Sequence, residues 1–167
     1  VDVNDAGFIR IMLQSAGSWY FTPDGKPNIA NNPAFKAALT TYAKILQTPE
    51  IYKPVSGWAE FTGSFTGGEV ASTITGVWMT ATIKQAKMDG KWGVAPVPRL
   101  DGVEGAVNAS NLGGSSWYVL SSAPSKAAAI DFLSTVWGAD ADFYQKILVD
   151  QGALGPLTAA RDGEAYK

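Results

Sequence analysis

The stretch from Phe65 to Trp78, FTGGEVASTITGVW, constrains the fold most, because it combines a helix end, two turns and a strand in one short segment. The pair Gly67-Gly68 predicts a turn after the helix, and residues 70–74 suit a short, mostly buried strand. Gly76 then predicts a sharp turn that brings Trp78 to the end of that strand. A tryptophan at such a point can line a cleft, although an ordinary core position explains it equally well.

Capping residues and glycines divide most of the remaining chain into helices. The clearest helix has Asn32 as its cap and Pro33 at its first position. Its apolar residues recur at helical spacing and predict a buried face: Phe35, Leu39, Tyr42 and Leu46. Further helices are predicted at residues 8–16, 58–65, 79–88, 126–137 and 141–151 and from residue 158 onward. A second strand is predicted at residues 117–120, so the class is α/β, with helices packed on a small sheet.

Three of these helices carry more specific predictions. Asp5 is the expected N-cap of the first helix, and Gly17 is expected to close it. Gly90 is expected to end the helix at 79–88. The helix that follows Ser125 is expected to bury four apolar side chains: Ala128, Phe132, Leu133 and Val136.

The composition excludes several function classes. The chain has 167 residues, a net charge of −2 at pH 7 and neither His nor Cys. A chain of this length can build one ordinary core, and its slight acidity argues against nucleic-acid partners. Without imidazole or thiol groups it cannot use Ser-His-Asp or Cys-His catalysis, form a disulfide or build a cysteine metal site. We therefore expect no cofactor and no metal site.

Carboxylates are the main groups left for enzymatic chemistry. Hydrolysis of a glycosidic bond needs two carboxylates that flank the bond. Most acidic residues here fall in turns or in first helical turns, where they cap helices or face solvent. Asp140 and Asp142 look like a metal-binding pair, but the solvated start of a helix explains them better. A carbohydrate-active enzyme stays open as a second hypothesis, and no catalytic residue is assigned.

Tryptophans beside turns are the strongest indication of function. Sugar rings present apolar C–H faces that lie flat on indole rings, while their hydroxyl groups need polar partners. Trp58 and Trp78 flank one predicted strand, and Trp19 follows a helix end. These positions favour recognition of a neutral polar ligand.

A pair of glycines also favours recognition of a polar ligand. Gly113 and Gly114 allow backbone N–H groups to reach a bound hydroxyl group, and they lack the lysine and spacing of a P-loop. Asn111 and Ser115 border the pair and can exchange hydrogen bonds with hydroxyl groups.

The order and spacing of several segments resemble the extracellular solute-binding proteins of ABC sugar importers, the family 1, maltose-binding-protein-like group. The resemblance covers nearly all of the chain. It is carried by SAGSWYFTPDGK, NIANNPAFKAALTTYAKIL, FTGGEVASTITGVWM, KWGVAPVP, NLGGSSWYVLSSAPSKAAAIDFLSTVW and QGALGPL. Each segment alone is a weak signal, and their combination is specific.

The resemblance implies a type II periplasmic-binding-protein-like fold of two α/β lobes with a sugar between them. Residues 1–110 would belong to the second lobe, and residues 111–167 would cross the hinge and return to the first lobe. The ligand-binding residues expected from the resemblance and from the residue types are Trp78, Trp58, Asp5, Gly113, Gly114, Asn111, Ser115 and Trp19.

The resemblance also implies partners and a location. We expect a mono- or oligosaccharide ligand, the transmembrane subunits of an ABC permease, and a place in the periplasm or on the cell surface as a lipoprotein. The family pattern continues beyond both ends of this sequence, so the missing remainder of the same protein is expected to complete the cleft. Two further hypotheses stay open: a binding protein for another small polar solute, such as a polyol, and a purely structural or adhesion fragment.

Overall fold

The computed structural model describes residues 6–88 and 90–167, so Asp5 and its predicted cap lie outside the described residues. The chain divides into two compact units. The first unit comprises Val1–Gly76 and Gly90–Leu112, and the second comprises Val77–Asp89 and Gly113–Lys167. Each unit has its own helices and its own packing.

Three α-helices form the framework of the first unit: α1 (Gly7–Ser15), α2 (Pro33–Leu46) and α3 (Gly57–Thr66). A 3-10 turn, Pro49–Ile51, follows α2. The core lies mainly between α1 and α2, and it consists of Ile9, Ile11, Met12, Leu13, Ala34, Ala38 and Leu100. All three helices were predicted, and their bounds agree to within one or two residues.

Two ends of these helices, the start of α2 and the end of α1, form as the local sequence predicts. The side-chain oxygen of Asn32 accepts a hydrogen bond from the backbone N–H of Phe35 at 3.1 Å, which caps α2. Gly17 follows α1 with φ 64° and lets the N–H of Ser18 reach the carbonyl oxygen of Leu13 at 2.9 Å. This left-handed closure satisfies carbonyl groups that the helix end would otherwise leave open.

The second unit contains α4 (Met79–Gln85), α5 (Lys126–Phe132) and α6 (Ala141–Gln151). A π-helical segment, Leu133–Trp137, continues α5, and two 3-10 turns follow α6, at Thr158–Asp162 and Glu164–Tyr166. The prediction that α4 runs to residue 88 and is ended by Gly90 was wrong. The helix closes earlier because Lys87 adopts φ 54° and the N–H of Met88 bonds back to the carbonyl oxygen of Ile83 at 3.2 Å.

Neither of the two predicted strands forms. Over residues 6–88 and 90–167 the backbone shows helices, turns and isolated bridge positions, among them an antiparallel bridge between Phe21 and Pro27, with no strand. Residues 70–74 suit a strand by composition, but a strand is stable only when a neighbour accepts and donates its ladder hydrogen bonds. At residues 117–120, Trp117, Tyr118 and Leu120 are exposed. The predicted small sheet is therefore not observed.

Two predicted apolar faces are less buried than expected. Phe132 and Ala128 of α5 are exposed, and Leu39 and Leu46 of α2 are exposed as well. In α2 the small residue Ala38 is fully buried instead, because close contact with α1 admits a methyl group more readily than a leucine side chain. The other two residues of the predicted α2 face are half-buried and pack against the core, so helical spacing identified the helix and only part of the side that packs.

No helix in the part of the chain that the structure describes has both the length and the apolar character needed to cross a membrane.

Candidate functional site

Trp78 and Gly113 lie against each other in the second unit. A Cβ atom placed on Gly113 would stand 3.1 Å from Cζ3 and 3.3 Å from Cη2 of the Trp78 indole. The indole edge thus rests on the Gly113 backbone at a distance that leaves little room for a side chain. Trp78 is partly buried, so the ring is held by its neighbours while part of it reaches solvent.

The backbone around Gly113 is left-handed. Gly113 has φ 86° and Gly114 has φ 126°, which L side chains rarely adopt, so both positions require glycine. Ser115 follows them and is exposed. Of the predicted site residues, the structure thus brings Trp78, Gly113, Gly114 and Ser115 into one region of the second unit.

A tight turn presents Trp78 at the start of α4. The carbonyl oxygen of Val77 accepts hydrogen bonds from the backbone N–H of Thr80 at 3.0 Å and from its side-chain hydroxyl at 2.8 Å. The turn therefore lies at residues 77–80, rather than at Gly76 as predicted. It fixes the backbone that carries the indole.

The first unit holds Asn111 beside α1. The N–H of Asn111 donates to Oε1 of Gln14 at 3.3 Å, and the hydroxyl of Ser110 donates to the carbonyl oxygen of Ile11 at 2.8 Å. The N–H of Val107 adds a bond to the carbonyl oxygen of Ser15 at 2.8 Å. These bonds place the segment before Gly113 along the helix that precedes Trp19.

The two remaining predicted tryptophans also lie in the first unit. Trp58 projects from α3 with 55% of its surface exposed and packs against Phe61, with ring centroids 5.8 Å apart. Trp19 is 37% exposed and contacts Tyr20, with centroids 5.0 Å apart. Each ring therefore has one supported side and exposed surface on which an apolar ligand face could stack.

Two titratable groups that follow Trp19 in the sequence, Tyr20 and Asp24, are held in fixed charge states. Burial raises the pKa of the Tyr20 phenol, and the positive charge of Arg10 offsets part of that rise. Hydrogen bonds from Lys26 and Thr22 lower the pKa of Asp24, which lies in an exposed turn. Neither group is poised to exchange a proton near neutral pH, as a general acid or base must be.

Acidic side chains do not assemble into a metal site in the described ranges, where no three His, Cys, Asp or Glu residues gather closely enough to hold an ion. A groove of about 470 Å³ lies beside α6 and has a mixed charged and aliphatic lining without an aromatic ring. Its lining residues are Gln145, Lys146, Val149, Asp150, Glu164 and Ala165. None of them was predicted to bind ligand.

Sequence reasoning missed two residues that position the site. Gln14 accepts the bond from Asn111, and nothing in its helical context singled it out. Gly152 directly follows the helix predicted at residues 141–151, and in the structure it also lies against the backbone of Trp78. Its left-handed φ of 65° follows from its place after a helix, whereas its contact with Trp78 depends on tertiary packing.

Comparison with known proteins assigns the family. A sequence profile described as bacterial extracellular solute-binding protein matches residues 3–167. The chain belongs to this family. The family expected from the sequence is thus confirmed, and membership implies a periplasmic-binding-protein-like fold in a family of binding proteins rather than enzymes.

A curated relative of this solute-binding chain is named lactose-binding protein, from Rhizobium radiobacter. The two sequences are 52% identical over 168 residues, which is all of this chain and 39% of the relative. The chain thus spans about two fifths of the length of the curated relative that it matches.

Proposed function

We propose that the full-length protein binds a carbohydrate, most simply an oligosaccharide, and delivers it to an ABC importer without chemical conversion. The single observation that supports this most is the 52% identity, across the whole chain, to a protein named for lactose binding. A half-buried indole next to a left-handed glycine turn is compatible with that role, because sugars need an apolar platform beside polar backbone groups.

The proposed site divides its tasks between rings and polar groups. Trp78, Trp58 and Trp19 would stack on the apolar faces of sugar rings. Backbone N–H groups of the Gly113-Gly114 turn would donate to sugar hydroxyl groups. The polar side chains that would exchange hydrogen bonds with hydroxyl groups are Asn111, Ser115 and Asp5.

The proposed mechanism is capture between two lobes followed by closure. We assign residues 1–110 to the second lobe and residues 111–167 to the hinge crossing and the first lobe, with the remainder of the protein completing both. Ligand that contacts both lobes binds the closed form better and shifts the open–closed equilibrium toward it. The closed form would then be recognised by the permease subunits, in the periplasm or at the cell surface if the protein carries a lipid anchor.

The test is a calorimetric titration of the full-length protein with lactose and with a panel of other mono- and oligosaccharides. Saturable binding of a sugar is expected, and Trp78→Ala should weaken it about ten- to a hundredfold. A Ser122→Ala variant, outside the proposed site, should bind as the wild type does. Absence of binding to every sugar would contradict the proposal, and release of a shorter saccharide during the titration would indicate an enzyme instead.

A further inference from the structure

Gly152 approaches Trp78 more closely than any side chain would allow. Gly152 directly follows α6 with φ 65°. A Cβ atom placed on it would lie 2.9 Å from the Cα of Trp78 and 3.0 Å from both the carbonyl oxygen of Val77 and Oγ1 of Thr80. Two of these three atoms are backbone atoms, so they cannot move aside as a flexible side chain would.

The α6 end that carries Gly152 is firmly held. Its N–H bonds to the carbonyl oxygen of Leu148 at 3.0 Å. At the other end of α6, Oδ1 of Asp140 caps the N–H of Phe143 at 2.9 Å. Along the helix, Gln145 accepts a hydrogen bond from the N–H of Ala165 at 3.0 Å. These bonds hold α6 together and tie it to the last turn through Gln145, so a new side chain at position 152 would push against the turn at residues 77–80.

The turn at residues 77–80 would move as one piece and take the indole with it. Its two hydrogen bonds to the carbonyl oxygen of Val77 join the backbone before Trp78 to Thr80. The indole edge itself rests against Gly113. Trp78 thus contacts two left-handed glycines, Gly152 at its backbone and Gly113 at its ring.

We propose that Gly152 is a positioning residue for ligand binding: by bringing a bare backbone against the turn at residues 77–80, it sets where the Trp78 indole meets the sugar. The part of this inference that concerns sugar affinity rests on the proposed function. The placement of Trp78 itself can be measured without a sugar, so the two ideas can fail separately.

The test compares Gly152→Ala with Gly68→Ala in the full-length protein labelled with fluorotryptophan. Gly68 follows α3 with φ 72° and has no atom within 4 Å of an added Cβ, so its alanine variant carries the backbone strain without the contact. The fluorine resonance of Trp78 is identified by its loss in Trp78→Phe. It should shift in Gly152→Ala and stay in place in Gly68→Ala.

Sugar affinity supplies the second measurement. Gly152→Ala should weaken binding roughly three- to tenfold, less than removal of the whole ring. In a Trp78→Ala background the same change should have no further effect, because the residue acts through the indole. If Gly152→Ala alone does not fold, Gly152→Ala combined with Thr80→Ala, which removes the Oγ1 contact, is compared with Thr80→Ala alone.

A Trp78 resonance that Gly152→Ala leaves unmoved, alone or in the Thr80→Ala background, would overturn the inference. An equal loss of affinity with and without the Trp78 indole would overturn it as well, since Gly152 would then act by another route. If the wild-type protein binds no sugar but the resonance shifts as expected, the proposed function fails while the positioning of Trp78 by Gly152 stands.

Discussion

The side-chain amide of Asn32 donates a hydrogen bond to the hydroxyl of Ser18 at 2.9 Å, which joins the end of α1 to the start of α2. The same amide group donates to the carbonyl oxygen of Asn28 at 2.8 Å, while its oxygen caps Phe35. Asn32 is only 7% exposed. One buried side chain therefore fixes both the helix start and the loop that leads into it.

Replacement of Asn32 by alanine is expected to lower the free energy of unfolding of the full-length protein by about 1–3 kcal/mol, because a cap and two part-buried hydrogen bonds are lost together. Urea denaturation followed by circular dichroism measures the change. Asn32→Asp keeps the capping oxygen and loses the donor, so it should fall between the wild type and the alanine variant.

Asn108→Ala is the matched control for this prediction. Asn108 is exposed and donates a bond to the carbonyl oxygen of Val97 at 2.9 Å. Its loss should cost no more than about 0.5 kcal/mol, since water replaces an exposed partner. Equal losses for Asn32→Ala and Asn108→Ala would contradict the role given to Asn32.

Features set by neighbouring residues could be predicted from the sequence. The Asn32 cap, the Asp140 cap and the left-handed Gly17 and Gly152 all depend on residues within one helical turn. The composition of residues 70–74 predicted a strand, and no strand forms there. A strand needs a partner strand, and the local sequence does not specify where that partner lies.

In the candidate site, too, the sequence predicts local features but not contacts between distant segments. Trp78 and Gly113 were both selected from the sequence, for an aromatic ring beside a turn and for a permissive backbone. That they touch could not be predicted, because the contact joins segments far apart in the chain. The role of Gly152 was missed for the same reason.

Two glycine-to-alanine changes are expected to alter stability in opposite directions. A Cβ atom on Gly155 would overlap the ring of Tyr144, which is 2% exposed and cannot move outward. Gly155→Ala should therefore destabilise the full-length protein by about 1–3 kcal/mol. Thermal and urea unfolding measure this change, and a stable Gly155→Ala variant would show that the Tyr144 ring packs elsewhere.

Gly63→Ala provides the opposing case. Gly63 lies inside α3, and an added Cβ would have no atom within 4 Å. Alanine should stabilise the helix by about 0.5–1 kcal/mol because it loses less conformational entropy on folding than glycine does. If Gly63→Ala and Gly155→Ala destabilised the protein by similar amounts, the difference in packing around these two glycines would be contradicted.

Tyr144 should make stability depend on alkaline pH. Burial raises the pKa of its phenol, and the neighbouring Tyr166 adds to the rise. Between the usual tyrosine pKa of about 10 and this raised value, the unfolded chain loses the proton while the folded chain keeps it. The stabilising contribution is therefore full below about pH 10 and is lost as pH rises through the folded pKa.

Tyr144→Phe tests this dependence. The hydroxyl donates to the carbonyl oxygen of Trp137 at 2.5 Å, so its loss should cost about 0.5–1.5 kcal/mol near pH 8. The difference between wild type and variant should shrink by about pH 11 in urea denaturation. Tyr118→Phe, at a position 83% exposed, checks the effect of removing a hydroxyl alone. A difference that stays constant with pH would contradict the raised pKa.

Trp58 is expected to affect sugar affinity much more than stability. More than half of its surface is exposed, and Phe61 supports one side of the ring, so truncation removes a platform rather than a core residue. Trp58→Ala should weaken sugar binding by roughly tenfold and change the free energy of unfolding by no more than about 1 kcal/mol. Trp117 is 63% exposed and contacts Trp137, yet it is not a proposed ligand residue. If calorimetry finds the same affinity loss for Trp117→Ala, exposed tryptophans as a class, rather than the position of Trp58, would explain the effect.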